Sequence, residues 1–307
     1  MHWPRLPEPK WVATEEAFAA KPQRSFRVRL GRDGMPAETV VGARRTHRIR
    51  AGETLLDVAR YYDVGHDEMM RANPGVDPWV PPTGAAVMVP SEWVLPCCTY
   101  QGIVLNIPEM RLFYYRREGG VLIVDTHPVG LGRRDRRTPR GRFTVINKTV
   151  NPRWDIPEPI RQEHIRERGD PRTFIPGGDP DNPLGQYRLG LSIRPYSIHG
   201  TNVPWGTGSA VSHGCARLYP EDIERLFPLV AVGTPGEFTY QPVKVGTRGG
   251  RVYVEAHADV YGLGPSRSPY DEALVRLRER GLEARVDREV VKTSLRDARG
   301  LPVGVSN

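Results

Sequence analysis

The sequence predicts a mainly β protein preceded by a small α+β unit, and three observations support this. From residue 99 onward, alternating and β-branched runs dominate, beginning with GIVLNIPEMRLFYYR and VLIVDTHPVGLG on either side of a Glu118-Gly119-Gly120 turn. Residues 46–91 instead read strand, helix, helix, strand. A chain of 307 residues with 38% apolar content is long enough for one sizeable core and a smaller second one.

Residues 1–45 are rich in Pro and Arg and read as an N-terminal extension in which SFRVRLG forms an edge strand. From Thr46 a strand-like piece and a turn at Ala51-Gly52 lead into a helix, whose face is made by Leu55, Leu56, Val58, Ala59 and Tyr62, with Glu53 or Thr54 near the cap. HDEMMRAN predicts a second helix, stopped by Asn73-Pro74-Gly75, and AAVMVP predicts a closing strand. A βααβ unit this small has little room for an active site, so binding or simple packing suits it better. Residues 92–98 read as a linker.

Beyond the first hairpin, TPRGRFTVINKTV predicts a further strand, and the proline-rich stretch 151–185 reads as a long excursion of the lid or binding-loop kind. Strands resume at QYRLGLSIRPYSIHG. A short helix follows at YPEDIERLF, with Pro220 at its first position, Glu221 and Asp222 in its first turn and Pro228 as a stop. Residues 241–307 form a C-terminal α/β tail: the strands EFTYQPVKVG and RVYVEAHADVYG lead into it, and an amphipathic helix follows at YDEALVRLRERG.

The net charge of +8 is concentrated at one end. Residues 1–50 hold 11 Lys/Arg against 5 Asp/Glu, which is +6 and leaves +2 for the rest. No nucleic-acid module accompanies this basic arm, so no nucleic-acid partner is expected. No run is apolar enough for a transmembrane segment, and the first residues lack a basic-then-apolar signal pattern. The cysteines, adjacent Cys97 and Cys98 and isolated Cys215, make no disulfide framework.

The chemistry concentrates between Ile198 and Leu218, where two His-Gly pairs and one Cys occur. A thiol becomes a strong nucleophile on deprotonation, which calls for a base within hydrogen-bond reach and donors for the oxyanion formed on attack. His199 and His213 are the available bases. An extended Ser212–Cys215 segment would point His213 and Cys215 to one side, and the Gly214 and Cys215 amides could face the developing charge. Zinc is the competing reading, but a fourth ligand is not apparent and the spacing fits no zinc pattern.

The run Ser212-His213-Gly214-Cys215-x-Arg217, with His199-Gly200 sixteen positions ahead of the Cys, resembles the L,D-transpeptidase catalytic domain over about residues 99–240. Supporting matches are I-P-E-M-R-L-F-Y-Y at 107–115, T-P-x-G-x-F at 138–143, N-P-x-W at 151–154 and D-N-P-L-G at 181–185. The resemblance implies a closed or nearly closed β-barrel, which the strand count also favours. It further implies a thioester on Cys215, with His199 as proton acceptor and donor and the Gly200 carbonyl orienting that imidazole. His213, Ser212, Gly214 and Arg217 would support the loop, the oxyanion and substrate carboxylates. Ala216 departs from the bulkier aliphatic residue frequent at that position.

The implied reaction opens the third, diamino-acid residue of a tetrapeptide stem with loss of D-alanine, and an amine then captures the acyl group. The acceptor is a lysine of an outer-membrane lipoprotein, another stem (a 3-3 cross-link) or water. A thiol hydrolase and a non-catalytic wall-binding protein are the alternatives. No cofactor or metal is called for, carbapenems would acylate the same thiol, and the expected location is the periplasm or cell envelope of a bacterium. Gly52-Glu53-Thr54-Leu55, Asn73-Pro74 and Val89-Pro90 resemble a lysin motif over 46–91. That resemblance implies binding of peptidoglycan through its N-acetylglucosamine glycan, at the loops of Gly52, Thr54, Leu55 and Asn73.

Overall fold

Alternation in SFRVR and a short apolar run after it place part of the expected extension inside the fold. The computed structural model describes Lys21 and residues 25–307; the rest of the 1–45 segment lies outside the described residues. Its strands are β1 (Ser25–Arg29) and β2 (Val40–Gly42). The small unit follows as β3 (Arg45–Arg48), α1 (Leu55–Tyr61), α2 (His66–Ala72) and β4 (Ala86–Val89), with β3 and β4 paired antiparallel. A capping box starts α1: the Asp57 amide donates to Thr54 Oγ1 (3.1 Å) and the Thr54 amide to Asp57 Oδ2 (2.7 Å). Leu55, Val58 and Ala59 then point into a core with Ile49, Val64, Met69 and Val87.

The 92–98 stretch departs from the expected linker. Strand β5 (Glu92–Val94) pairs with β2, and Trp93 is fully buried. Its indole N–H donates to Glu68 Oε1 (2.6 Å), and the Arg111 guanidinium lies 4.0 Å from its ring centroid. An aromatic ring with both a polar partner and a cation anchors the chain here.

The remaining strands are β6 (Gly102–Asn106), β7 (Arg111–Glu118), β8 (Val121–Pro128), β9 (Leu131–Gly132) and β10 (Gly141–Val150). The excursion adds β11 (Trp154–Asp155), α3 (Glu158–Arg168) and β12 (Phe174–Ile175). After it come β13 (Tyr187–Leu191), β14 (Ser197–His199), β15 (Ala210–Ser212), β16 (Ala216–Arg217), α4 (Pro220–Leu229) and β17 (Pro235–Thr239). One nine-stranded sheet runs β1-β8-β7-β6-β17-β10-β13-β14-β16. Ile223 and Leu226 of α4 pack on its inner face with Ile103, Leu105, Leu189 and Ile198.

This sheet curls into a half-barrel and does not close, contrary to the expected barrel. Closure needs a continuous ladder between the first and last strands. Here β8 ends at Pro128, which has no N–H to give, and Gly130 beyond it meets Arg217 through one antiparallel bridge (2.8 and 2.9 Å). The β1 strand occupies the opposite edge of the sheet.

The tail forms a second core: β18 (Val243–Arg248), β19 (Arg251–Ala256) and, after α5 (Pro269–Glu279) and α6 (Arg288–Ser294), β20 (Val303–Gly304). Buried lysines join the units. Lys244 Nζ lies 2.7 Å from Glu109 Oε2 and 2.8 Å from Glu255 Oε1, and donates to the Val94 carbonyl. Lys21 Nζ meets Asp63, Glu221 and Asp222, linking the small unit to α4. Burial pulls that ammonium's pKa down, but the three carboxylates outweigh it and the pKa is raised.

Replacing Lys244 with Met leaves Glu109 and Glu255 buried without their counter-charge, and urea unfolding at pH 7 is expected to show a loss of about 3–5 kcal/mol. Burial already holds both carboxyl pKa values above the ordinary range. A raised carboxyl pKa favours the folded state at low pH and loses that contribution as pH rises through it, so the variant's deficit should shrink on acidification. An unchanged midpoint at pH 7 would contradict the assignment.

Candidate active site

Register places the site. Strands β14 and β16 run parallel with Ile198 opposite Ala216 and His199 opposite Arg217. Alternation sends Ile198 and Ala216 into the core and leaves Ser197, His199 and Arg217 on the other face, where Cys215, in the bend just before β16, meets Ser197. Cys215 Sγ lies 3.5 Å from Ser197 Oγ, and the thiol is partly exposed. The small Ala216 is fully buried, where a larger side chain would meet the packed core.

His199 is 2% exposed, and its Nδ1 donates to the Gly200 carbonyl (2.7 Å), so Nε2 carries the lone pair. Burial first, then the nearby Arg217 charge, pushes its pKa down to about 3. The imidazole is therefore neutral at ordinary pH. Burial likewise lowers the pKa of Arg217, with Cys215 opposing.

Ser212 closes the bend at Cys215. Its Oγ donates to the Cys215 carbonyl (2.7 Å) and accepts from the Gly214 amide (3.0 Å). Gly214 has φ +115, and a Cβ there would lie 2.7 Å from the Tyr196 ring, so the position demands glycine. Its carbonyl accepts from Thr138 Oγ1 (2.9 Å), which ties in the T-P-x-G-x-F segment. Two expectations change here. Residues 213–215 bend and do not extend, which removes the alternation that would align His213 with Cys215, and the Gly214 amide is engaged by Ser212 rather than facing an oxyanion.

His213 faces the excursion. Its Nε2 lies 3.3 Å from Glu163 Oε2 on α3 and 3.4 Å from Arg133 Nη2. Burial lowers its pKa, with Glu163 working in the opposite direction. Next to Tyr196, a cavity of about 360 Å³ is lined by Asn147, Arg188, Gly190, Leu191 and Arg194 among others, and Arg188 stands opposite His199 in the β13–β14 register.

Sequence reasoning did not single out Ser197, Tyr196, Arg188, Arg133 or Glu163. Alternation around His199 was the one available signal for Ser197. The expected glycan residues mostly turn inward: Leu55 is fully buried, Thr54 caps α1, and the Asn73 amide bonds the Met69 and Met88 carbonyls and the Met88 amide. Those side chains are engaged by the fold, which leaves Gly52 exposed at its turn. Two buried acid–His groups lie among the described residues, Asp63-His127-Asp222 and Glu109-Glu255-His257, and both carboxylates of each pair with a lysine ammonium, Lys21 and Lys244 respectively.

A half-barrel sheet thus carries a thiol, a neutral imidazole and a cation on one face, which are groups that acyl transfer to a thiol calls for. The sequence matches the L,D-transpeptidase catalytic domain over residues 100–245. It is 40% identical over 222 residues to the probable L,D-transpeptidase YbiS of Escherichia coli K12, covering 71% of each chain. It is 35% identical over 266 residues to the probable L,D-transpeptidase ErfK/SrfK of the same strain, covering 83% of each. A solved L,D-transpeptidase from Mycobacterium smegmatis aligns with TM-score 0.34 and 20% identity over 51% of this chain and 63% of that one. The chain belongs to the L,D-transpeptidase family.

Removing the Ser197 hydroxyl tests the thiol's surroundings. Ser197→Ala is expected to slow alkylation of Cys215 by iodoacetamide about three- to tenfold at pH 7, since a hydrogen bond to the sulfur is lost. An unchanged rate would show that the 3.5 Å contact does not act on the sulfur.

Proposed function

We propose that the protein is a peptidoglycan L,D-transpeptidase acting through a Cys215 thioester. The observation that carries this reading is the shared face of Cys215 and neutral His199. His199 Nε2 takes the thiol proton, the thiolate attacks the carbonyl of the diamino-acid residue of a tetrapeptide stem, and the same imidazole protonates departing D-alanine. The Cys215 amide is the remaining backbone donor for the oxyanion. Arg188 and Arg194 in the adjoining cavity suit the stem's carboxylates.

An amine then attacks the thioester, either a lysine of a wall-attached lipoprotein or another stem. Residues 46–91 act as a lysin motif, and since Thr54, Leu55 and Asn73 are engaged, glycan contact falls to the backbone of their loops. Peptidoglycan is the partner, and the periplasm or cell envelope the location. Among the described residues no helix is long and apolar enough to cross a membrane.

Incubation with tetrapeptide stems, with and without a lysine-bearing acceptor, should give a mass-detectable adduct on Cys215 and a new amide product only with acceptor. Cys215→Ala abolishes both. Free D-alanine without an amide product would point to the hydrolase, and binding to sacculi without an adduct to a non-catalytic protein.

The pH dependence gives a separate check. Since His199 is held at about 3, imidazole protonation should not produce an acid limb of kcat/KM near pH 6.5, and that limb is expected below about pH 5. A limb at 6.5 that persists in His213→Ala would contradict the role of His199.

A further inference from the structure

The small unit touches the segment that leads into the nucleophile bend. Gly65 and Gly208 meet backbone to backbone: a Cβ on Gly208 would lie 2.2 Å from Gly65 Cα, and one on Gly65 would lie 2.9 Å from Gly208 Cα. That approach lets the His66 amide donate to the Thr207 carbonyl (3.0 Å) and the Asp67 amide to the Gly208 carbonyl (3.2 Å). A side-chain contact completes the joint. Ser209 Oγ donates to Asp67 Oδ1 (2.7 Å) and lies 3.2 Å from His66 Nδ1.

The contact continues into the site along the chain. The Ser209 carbonyl accepts from the Leu131 amide (3.0 Å) and the Ser212 carbonyl from the Arg133 amide (3.0 Å), which fixes β15 beside β9. Three residues later comes Cys215, tied to Ser212 through its carbonyl. The path from α2 to the thiol thus consists of hydrogen bonds and a short strand. Nothing in a merely tethered binding module would require glycine on both sides of the contact.

We propose that the small unit is a positioning element for the nucleophile: Asp67, acting through Ser209, holds segment 207–212 in register so that the bend sets the Cys215 thiol beside Ser197. Asp67 touches neither substrate nor the reacting atoms, so its role is indirect. The proposal rests on the reading of Cys215 as the nucleophile, and it deepens that reading.

The test uses the full chain with Asp67→Ala, Asp67→Asn, Ser209→Ala and the Asp67→Ala/Ser209→Ala double variant. Asp67→Ala is expected to lower kcat for tetrapeptide stems about tenfold with KM within about twofold, whereas Asp67→Asn, which keeps an acceptor oxygen, stays within about threefold of the parent. The double variant should lose no more than Asp67→Ala, because both act through one contact. Amide hydrogen exchange in Asp67→Ala should rise about tenfold at 207–215 while the α1 amides stay unchanged.

Parental exchange and kcat in Asp67→Ala, additive losses in the double variant, or faster exchange throughout the small unit would each overturn the proposal. Exchange separates the two readings. If the parent forms no adduct yet Asp67→Ala loosens 207–215 alone, the positioning contact stands and the transpeptidase reading fails.

Discussion

The site depends on one short parallel pairing. Strands β14 and β16 contribute three and two residues; their register puts His199 beside Arg217, and the bend just before β16 puts Cys215 beside Ser197. Parallel neighbours cannot be joined by a tight turn, so the chain must leave the sheet after Gly200 and return. The returning loop is therefore long, and it is steadied on the way to Cys215 by Ser212 within the bend, Thr138 behind it, β9 along it and the small unit at its start.

Two further constraints come from buried charge. Lys21 and Lys244 each lie among carboxylates of different units, and Arg60 makes two bonds to Glu221 (3.1 and 3.0 Å). Desolvating such groups is costly, and apolar substitutes of the same shape would often be as stable. What charge adds is direction: an ammonium donates to a few fixed oxygens, so the small unit, the sheet and the tail can dock in one arrangement. That arrangement is what sets Gly65 against Gly208.

Much of the fold was legible because long elements leave periodic traces. The β7–β8 hairpin, the Thr54 cap, the Pro220 start of α4 and the strands of the tail all follow from pattern. Helix α3 was missed for a physical reason: EPIRQEHIRER buries no residue, so no apolar face announces it. The two- and three-residue strands β5, β9 and β16 are too short for alternation to register, which is why Trp93 read as linker and why the open sheet could not be told from a barrel. In the site, His199 and Cys215 stood out by residue type, but the inward turn of Asn73 and the use of the Gly214 amide by Ser212 depend on tertiary partners that no spacing encodes.

The electrostatics of the proposed cycle follow from the same register. Arg217 faces both the sulfur and the imidazole, and its charge opposes protonation of His199. The cation that neighbours the sulfur at rest is then the guanidinium held by β16, and the imidazole stays uncharged until it takes the thiol proton. A neutral base is kept ready to accept the thiol proton, and the proton it gains is bound weakly enough to pass to the departing amine. Once the thioester forms, the sulfur is neutral and Arg217 faces one negative charge fewer, which leaves a carboxylate of the bound stem or the oxyanion as its natural partner. In the proposed cycle a single arginine on a two-residue strand thus serves both ends of acyl transfer, and only while the loop beside it holds the bend in place.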